Sequence, residues 1–206
     1  MNTHSPALLI FIKNPIPGKV KTRLAAEVGE VKAQHIYAIL TAHTREVSAA
    51  LPHRKIVFYD HHLPAKDEWP AGQFQKKLQI GSHLGERMYN ALRVARMEGA
   101  GWVAIIGSDC LELTSDILNW GFLKLESYDA VIGPARDGGY YFLGFRGIIP
   151  EELFMDISWS TQRVLAETFT KMSGLGLSSY LLPELGDIDT AYDWQIYNQN
   201  KNKNRL

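Results

Sequence analysis

Four cations and no acid fall in the twelve residues Lys13-Asn14-Pro15-Ile16-Pro17-Gly18-Lys19-Val20-Lys21-Thr22-Arg23-Leu24, in a chain whose 22 basic and 22 acidic residues cancel overall. Such a local excess asks for an anion. Gly18 lets the backbone approach a ligand closely, and a helix opening near Lys19 would aim free amides and the positive end of its dipole at a phosphate. Lys19 and Arg23 would then stand one helical turn apart and repel each other unless something negative lies between them. The segment is not a Walker loop, because G-x-x-x-x-G-K-[ST] is absent. A solvated basic turn is the bland alternative.

Two carboxylate positions complement that loop. Asp109, after Gly107-Ser108, ends a hydrophobic strand, where one carboxylate can anchor a hard cation against a diphosphate; otherwise it caps the following turn. In Asp187-Ile188-Asp189-Thr190, Asp189 is a second candidate metal carboxylate, and Asp187 or Asp189 could equally be a helix N-cap. The stretch Gly133-Pro134-Ala135-Arg136-Asp137-Gly138-Gly139-Tyr140-Tyr141 could shape an acceptor pocket or simply join two strands.

Other residues carry less. Cys110 has no histidine near it in sequence and reads as a small residue filling a buried turn. His61-His62 lacks partners at ligand spacing and reads as a polar loop. Ser108 lacks the G-x-S-x-G elbow of α/β-hydrolases, and no G-x-G-x-x-G follows the first strand, which argues against a dinucleotide-binding dehydrogenase.

The elements that must position these residues follow from periodicity. Ala7 to Ile12 is a short apolar strand, stopped by two prolines and a glycine. Ala33, Ile36, Tyr37, Leu40, Thr44 and Val47 recur at helical spacing, and Lys55 to Tyr59 is a second strand, so the opening third is β-loop-α-β. Leu84, Met88, Ala91, Leu92 and Ala95 line a further helix, and Trp102 to Ile106 is the next strand. Asp129 to Gly133 and Tyr140 to Phe145 predict two more strands. Thr161 to Lys171 predicts a helix capped by Ser160, and a short helix follows Asp189. The expectation is one three-layer α/β domain over residues 1–197, with a mostly parallel mixed sheet, and a frayed polar tail over 198–206.

With 206 residues, 46% of them hydrophobic, the chain can bury a full core. Zero net charge gives no reason to expect a nucleic-acid partner. One cysteine excludes a disulfide framework. No apolar run approaches the ~20 residues of a membrane span, and no leader pattern opens the chain, so a cytoplasmic protein is expected.

Taken in order, the loop from Lys13 to Leu24, Leu84-Gly85-Glu86-Arg87-Met88, Gly107-Ser108-Asp109, Gly133-Pro134-Ala135, Asp137-Gly138-Gly139-Tyr140, Trp159-Ser160-Thr161 and Asp187-Ile188-Asp189-Thr190 resemble one bacterial family. It is the family assigned as glycosyltransferases in the nucleotide-diphospho-sugar transferase superfamily, some of whose members are associated with arsenosugar biosynthesis. The resemblance spans nearly the whole chain. It implies a GT-A, Rossmann-like fold with phosphates along Lys13, Gly18, Lys19, Lys21, Thr22 and Arg23, and with Gln79, Gly85, Arg87 and Ser108 near the nucleotide. It implies Mg2+ or Mn2+ on Asp109 and Asp189, and an acceptor or sugar pocket about Pro134, Asp137, Gly138, Gly139, Tyr140, Trp159, Ser160 and Thr161. Asp109, Lys21 and Arg23 would carry catalysis.

One departure stands out. Glycosyltransferases of this fold usually show Asp-x-Asp at the metal strand, whereas Gly107 and Leu111 flank Asp109 at that spacing. The partners expected are therefore a nucleotide sugar or a nucleoside triphosphate, with a small acceptor. Glycosyl transfer is the first reading and nucleotidyl transfer the alternative. A non-catalytic nucleotide sensor is a rival of another class.

Overall fold

The computed structural model describes residues 5–203. Seven strands form one sheet: β1 (Pro6–Ile12), β2 (Arg54–Tyr59), β3 (Gln75–Leu78), β4 (Trp102–Ile106), β5 (Ala130–Pro134), β6 (Tyr140–Arg146) and β7 (Ser179–Leu181). The helices are α1 (Thr22–Val28), α2 (Glu30–Ala49), α3 (Leu84–Met97), α4 (Ser115–Lys124), α5 (Val164–Gly174) and α6 (Ala191–Lys203), with a 3-10 turn at Glu151–Phe154.

β1 reads as an unbroken apolar run because both of its faces are covered, as a central parallel strand requires. Leu8, Ile10 and Ile12 meet Leu118 and Phe122 of α4 on one side, while Ala7 and Leu9 meet Met88, Ala91 and Leu92 of α3 on the other. A third cluster joins Leu24 of α1, Ala33, Ile36 and Leu40 of α2, and Ile188 just before α6.

The strand order is β3-β2-β1-β4-β6-β5-β7. From β3 to β4 the pairs are parallel, β6 is antiparallel to both β4 and β5, and β7 is parallel to β5. The chain thus leaves β1 toward β2 on one side and returns to pair with β4 on the other. The crevice outside the carboxyl ends of β1 and β4 is a topological switch point, where open α/β sheets bind their ligands.

Several expectations need correction. No helix opens at Lys19: α1 begins at Thr22, and Lys21 before it is left-handed, with φ 47°. Ser160 does not cap α5, because it is itself left-handed at φ 63° and the helix starts three residues beyond the expected Thr161. α6 itself runs on past Asn198 to Lys203, and the remainder of the tail lies outside the described residues.

β3, α4 and β7 were not expected either. Gln-Lys-Lys-Leu shows no alternation, and its two lysines instead pair with Asp67 and Glu98 along an edge strand. α4 contains Gly121, a poor helix former. A Cβ there would come within 2.7 Å of the Phe142 ring, so glycine is what lets the helix approach the sheet. No described helix is long and apolar enough to cross a membrane.

Candidate active site

The loop after β1 is anchored by Asn14, which is 2% exposed. Its amide N–H donates to Asp60 Oδ1 (2.7 Å), its Nδ2 donates to the His62 carbonyl (3.0 Å), and its Oδ1 accepts from the amides of His61 and His62. A buried amide side chain with such partners fixes the loops after β1 and β2 against each other. Next to it, the Lys13 amide donates to Tyr37 Oη (3.0 Å), which donates back to the Lys13 carbonyl (2.7 Å). Burial, then the negative charge of Asp109, push the Tyr37 phenol well above its usual range, so it stays a neutral donor.

Across the crevice, Ser108 and Asp109 follow β4. The third wall comes from a segment 80 residues downstream of Asp109 in sequence. Leu185 forms an isolated parallel bridge with Ala135 at the end of β5, its amide donating to Pro134 O (3.1 Å). The Ile188 amide donates to the Asp109 carbonyl (2.9 Å), which delivers the neighbouring Asp189 to the crevice. Glu112 holds this segment from below, accepting from the Gly186 amide (2.9 Å) and from both terminal nitrogens of Arg136.

Asp189 is not a helix cap, and neither is Asp187. That role belongs to Thr190, whose Oγ1 accepts from the Asp193 amide (3.2 Å) while Asp193 Oδ2 accepts from the Thr190 amide (2.7 Å), a reciprocal capping box. Asp189 is left with its carboxylate directed at Lys21.

Lys21 lies at the centre of the site. Its Nζ is 2.9 Å from Asp109 Oδ1 and 2.8 Å from Asp189 Oδ1, and its side chain is 5% exposed, against 42% and 38% for the two carboxylates. The Arg23 guanidinium, 72% exposed, reaches Asp189 Oδ2 at 4.0 Å. Burial alone would lower the Lys21 pKa, but Asp109 and Asp189 outweigh it and hold the ammonium charged. Burial likewise opposes ionisation of Asp189, yet Lys21, Arg23 and Lys13 hold its carboxyl below the usual value. Asp187 goes the other way, pushed up to about 8 by burial and by Asp109 and Asp137. The Cys110 thiol is 5% exposed and pushed up to about 12, chiefly by burial, which leaves no thiolate for nucleophilic attack.

The other residues singled out in the sequence take structural places as well. Gly18 adopts φ 70° in the turn closed by the Lys19 amide on Ile16 O, and the Lys19 side chain is exposed. Gln79 Nε2 donates to the carbonyls of Ile12 (3.1 Å) and Phe58 (3.0 Å), at the carboxyl ends of β1 and β2. Arg87 Nε donates to Gly81 O (3.0 Å). Gly85 faces Trp159 so closely that a Cβ would stand 2.5 Å from the indole Nε1.

Asp137 Oδ1 accepts from the Gly139 amide (2.9 Å), Gly138 abuts the Gln162 backbone, and Thr161 Oγ1 donates to Ser158 O (2.7 Å). The Tyr140 hydroxyl turns inward beside Thr168 of α5 rather than toward an acceptor. The structure therefore brings Lys21, Arg23, Asp109 and Asp189 together; Gly85 packs on Trp159 and Gly138 on the Gln162 backbone, while Asp137 lies close enough to Asp187 to help raise its pKa. Tyr37, Asn14 and Glu112 were missed in the sequence. Only Asn14, a lone amide among prolines after a strand, carried a signal.

A divalent cation fits this donor set under one condition. Among the described residues no three histidine, cysteine or carboxylate side chains are grouped to hold a metal. Mg2+ commonly needs only one or two carboxylates when substrate phosphates complete its shell, and Asp109 and Asp189 are two half-exposed carboxylates already converging on one cationic point.

A family profile described as "Uncharacterized protein conserved in bacteria (DUF2064)" matches residues 43–161. The chain belongs to this family. A crystal structure from Desulfovibrio desulfuricans G20, of a protein assigned as a nucleotide-diphospho-sugar transferase, is 34% identical, with a TM-score of 0.87 over 97% of this chain and 89% of that one.

Two more distant structures show the same fold. Glucosyl-3-phosphoglycerate synthase from Mycobacterium tuberculosis, in complex with Mn2+, UDP and glucosyl-3-phosphoglycerate, is 11% identical with a TM-score of 0.54, over 89% of this chain and 71% of that one. CMP:2-keto-3-deoxy-manno-octonic acid synthetase complexed with CTP is 11% identical with a TM-score of 0.54, over 97% and 99%. The family thus has the GT-A-like fold of the nucleotide-diphospho-sugar transferase superfamily. No curated protein sequence matches the chain.

Proposed function

We propose that the protein is a transferase that binds a nucleoside diphosphate group with a divalent cation in the β1–β4 crevice, and that it transfers a sugar from a nucleotide sugar to a small acceptor. The observation that carries this reading is the convergence of Lys21, Arg23, Asp109 and Asp189 at the switch point of the sheet. Cations offset charge on a phosphate, and carboxylates of this kind hold a cation against it.

Asp109 and Asp189 would hold the Mg2+ or Mn2+, which when bound supplies further neutralisation of phosphate charge. The protein's own part is preorganisation. Asn14 and Tyr37 fix the loop that carries the basic residues, so little reorganises as charge develops on the departing diphosphate. In that step the bond from the sugar's anomeric carbon to the diphosphate oxygen breaks, the diphosphate leaves with the electron pair, and the acceptor hydroxyl oxygen bonds to that carbon as its proton passes to the departing diphosphate or to water. The turn at Asp137-Gly138-Gly139, with Trp159, Ser160 and Thr161, is the proposed border of the acceptor side.

Nucleotidyl transfer is the second reading, favoured by the absence of Asp-x-Asp around Asp109 and by the likeness to a synthetase bound to CTP. Incubation with nucleotide sugars and with nucleoside triphosphates, each with Mg2+ or Mn2+, separates the readings. Acceptor-dependent release of nucleoside diphosphate supports sugar transfer, and pyrophosphate release from a triphosphate supports nucleotidyl transfer. Release that needs only water marks a hydrolase. Absence of both turnover and a ligand-induced thermal shift with every nucleotide would sink all three.

A further inference from the structure

Lys21 is a tethered cation standing where two carboxylates could hold a free one. Its ammonium is within hydrogen-bond distance of Asp109 and Asp189 at once, and so occupies one oxygen of each. A divalent ion and the lysine compete for the same oxygens, Asp109 Oδ1 and Asp189 Oδ1.

We propose that Lys21 is an exchangeable internal counter-ion: it excludes a bare divalent cation from Asp109 and Asp189, and gives up both carboxylates when the metal arrives with a diphosphate. This rests on the reading above, and it specifies the form of the ligand as a metal–diphosphate chelate rather than a metal that is already resident.

Charge balance supports the exchange. Lys21 and Arg23 match Asp109 and Asp189 one for one within the group of side chains that touch. A bare divalent ion would therefore draw little attraction from these four balanced groups, and would leave a nearly buried ammonium without partners. Both are costly. A diphosphate removes both costs, because it brings negative charge for the metal and a new acceptor for the displaced lysine. Lysine suits such an exchange, since its ammonium is a compact charge on a flexible four-carbon stem. Asp109 and Asp189 are each more than a third exposed, so the metal can reach them from the open side.

The test is a Mn2+ titration of the intact protein without nucleotide, followed by electron paramagnetic resonance of the free ion. Lys21→Met should bind Mn2+ about tenfold or more tightly than the natural protein, because one competing charge is gone. Arg23→Met, which removes a charge from the same site but not the tether between the carboxylates, should gain less. It also serves as the measurement that survives if Lys21→Met misfolds, together with Lys21→Arg, which keeps the charge and should show no gain.

Thermal shifts on the natural protein give an independent arm. Mg2+ alone and pyrophosphate alone should each shift Tm little, and the two together by more than their sum. Natural protein that binds bare Mn2+ as tightly as Lys21→Met, or strictly additive thermal shifts, would overturn the exchange. Tighter Mn2+ binding by Lys21→Met, in a protein that turns over no nucleotide, would uphold the exchange while removing the transferase reading.

Discussion

The main-chain amide of Ile188 donates to the carbonyl of Asp109 at 2.9 Å, so one carboxylate of the site is held to the other through the backbone and not through a bound ion. The segment that carries Asp189 is then secured by Glu112, whose Oε2 accepts from the Gly186 amide and whose two oxygens face the Arg136 guanidinium. Without Glu112, Asp189 keeps its chemistry but loses its placement.

Glu112→Ala is accordingly expected to weaken metal-dependent nucleotide binding by about tenfold, as loss of a group that orients a ligand does. Arg136 is 54% exposed, so its pair with Glu112 contributes only about 0.2–1 kcal/mol. Arg136→Ala should therefore do less than Glu112→Ala, which also orphans the Gly186 amide. Equal effects of the two substitutions on binding, measured by calorimetry, would refute a role for Glu112 through Gly186.

Asp109→Asn and Asp189→Asn should each lower turnover by about 10²–10³ while changing stability little, because Lys21 keeps one charged partner in either variant. The double variant is different. It leaves a 5%-exposed ammonium with no carboxylate, and should cost about 1–3 kcal/mol beyond the sum of the single changes. Adding Lys21→Met to the double variant should return most of that stability. Simple additivity in urea unfolding would show that the three side chains do not act as one unit.

The fold was legible where burial is two-sided or strongly periodic. β1, β4 and the apolar face of α3 stand close to where pattern placed them, and Asp109 at the end of β4 could be found from strand and turn chemistry alone. What could not be read was contact across distance. Lys21 and Asp189 are 168 positions apart, and nothing local says that the lysine, with its left-handed backbone, bridges two carboxylates. The capping of α6 was ambiguous for the same kind of reason. Asp187, Asp189 and Thr190 are all good caps by type, and only the Thr190–Asp193 pairing selects among them. α4 was hidden because Gly121 lowers helix propensity, a local cost that its approach to Phe142 offsets.

Gly85→Ala is a test of the packed group beside α3. Helix propensity alone would favour alanine by about 1 kcal/mol, but its Cβ would lie 2.5 Å from Trp159 Nε1 and 2.6 Å from the Phe154 carbonyl, part of which is backbone and cannot swing aside. Overpacking of this kind costs about 1–3 kcal/mol. The clash is therefore expected to win, with Tm lower by about 2–4 °C for each kcal/mol, and with a changed tryptophan emission as Trp159 is displaced. An unchanged or raised Tm would mean that Trp159 moves freely.

The pH dependence of stability should carry a contribution from His53, on the side of the sheet that packs against α4. Its ring meets Phe122 edge-on at 4.4 Å between centroids, and its Nε2 is buried without a hydrogen-bond partner among the described residues. Burial, and then the charge of Lys55, lower its pKa below the ordinary 6.5. The sign follows from proton counts. Below pH 6.5 the unfolded chain takes up a proton that the folded state resists, so stability is fully present above that pH and is lost as pH falls toward the folded pKa. His53→Phe keeps an aromatic ring on Phe122 and cannot titrate. Between pH 7.5 and 5.5 the natural protein should thus lose about 1–3 °C of Tm more than the variant, a modest difference because the histidine is only half-buried. Parallel curves for the two proteins over that range would show that His53 takes its proton as readily in the fold as outside it.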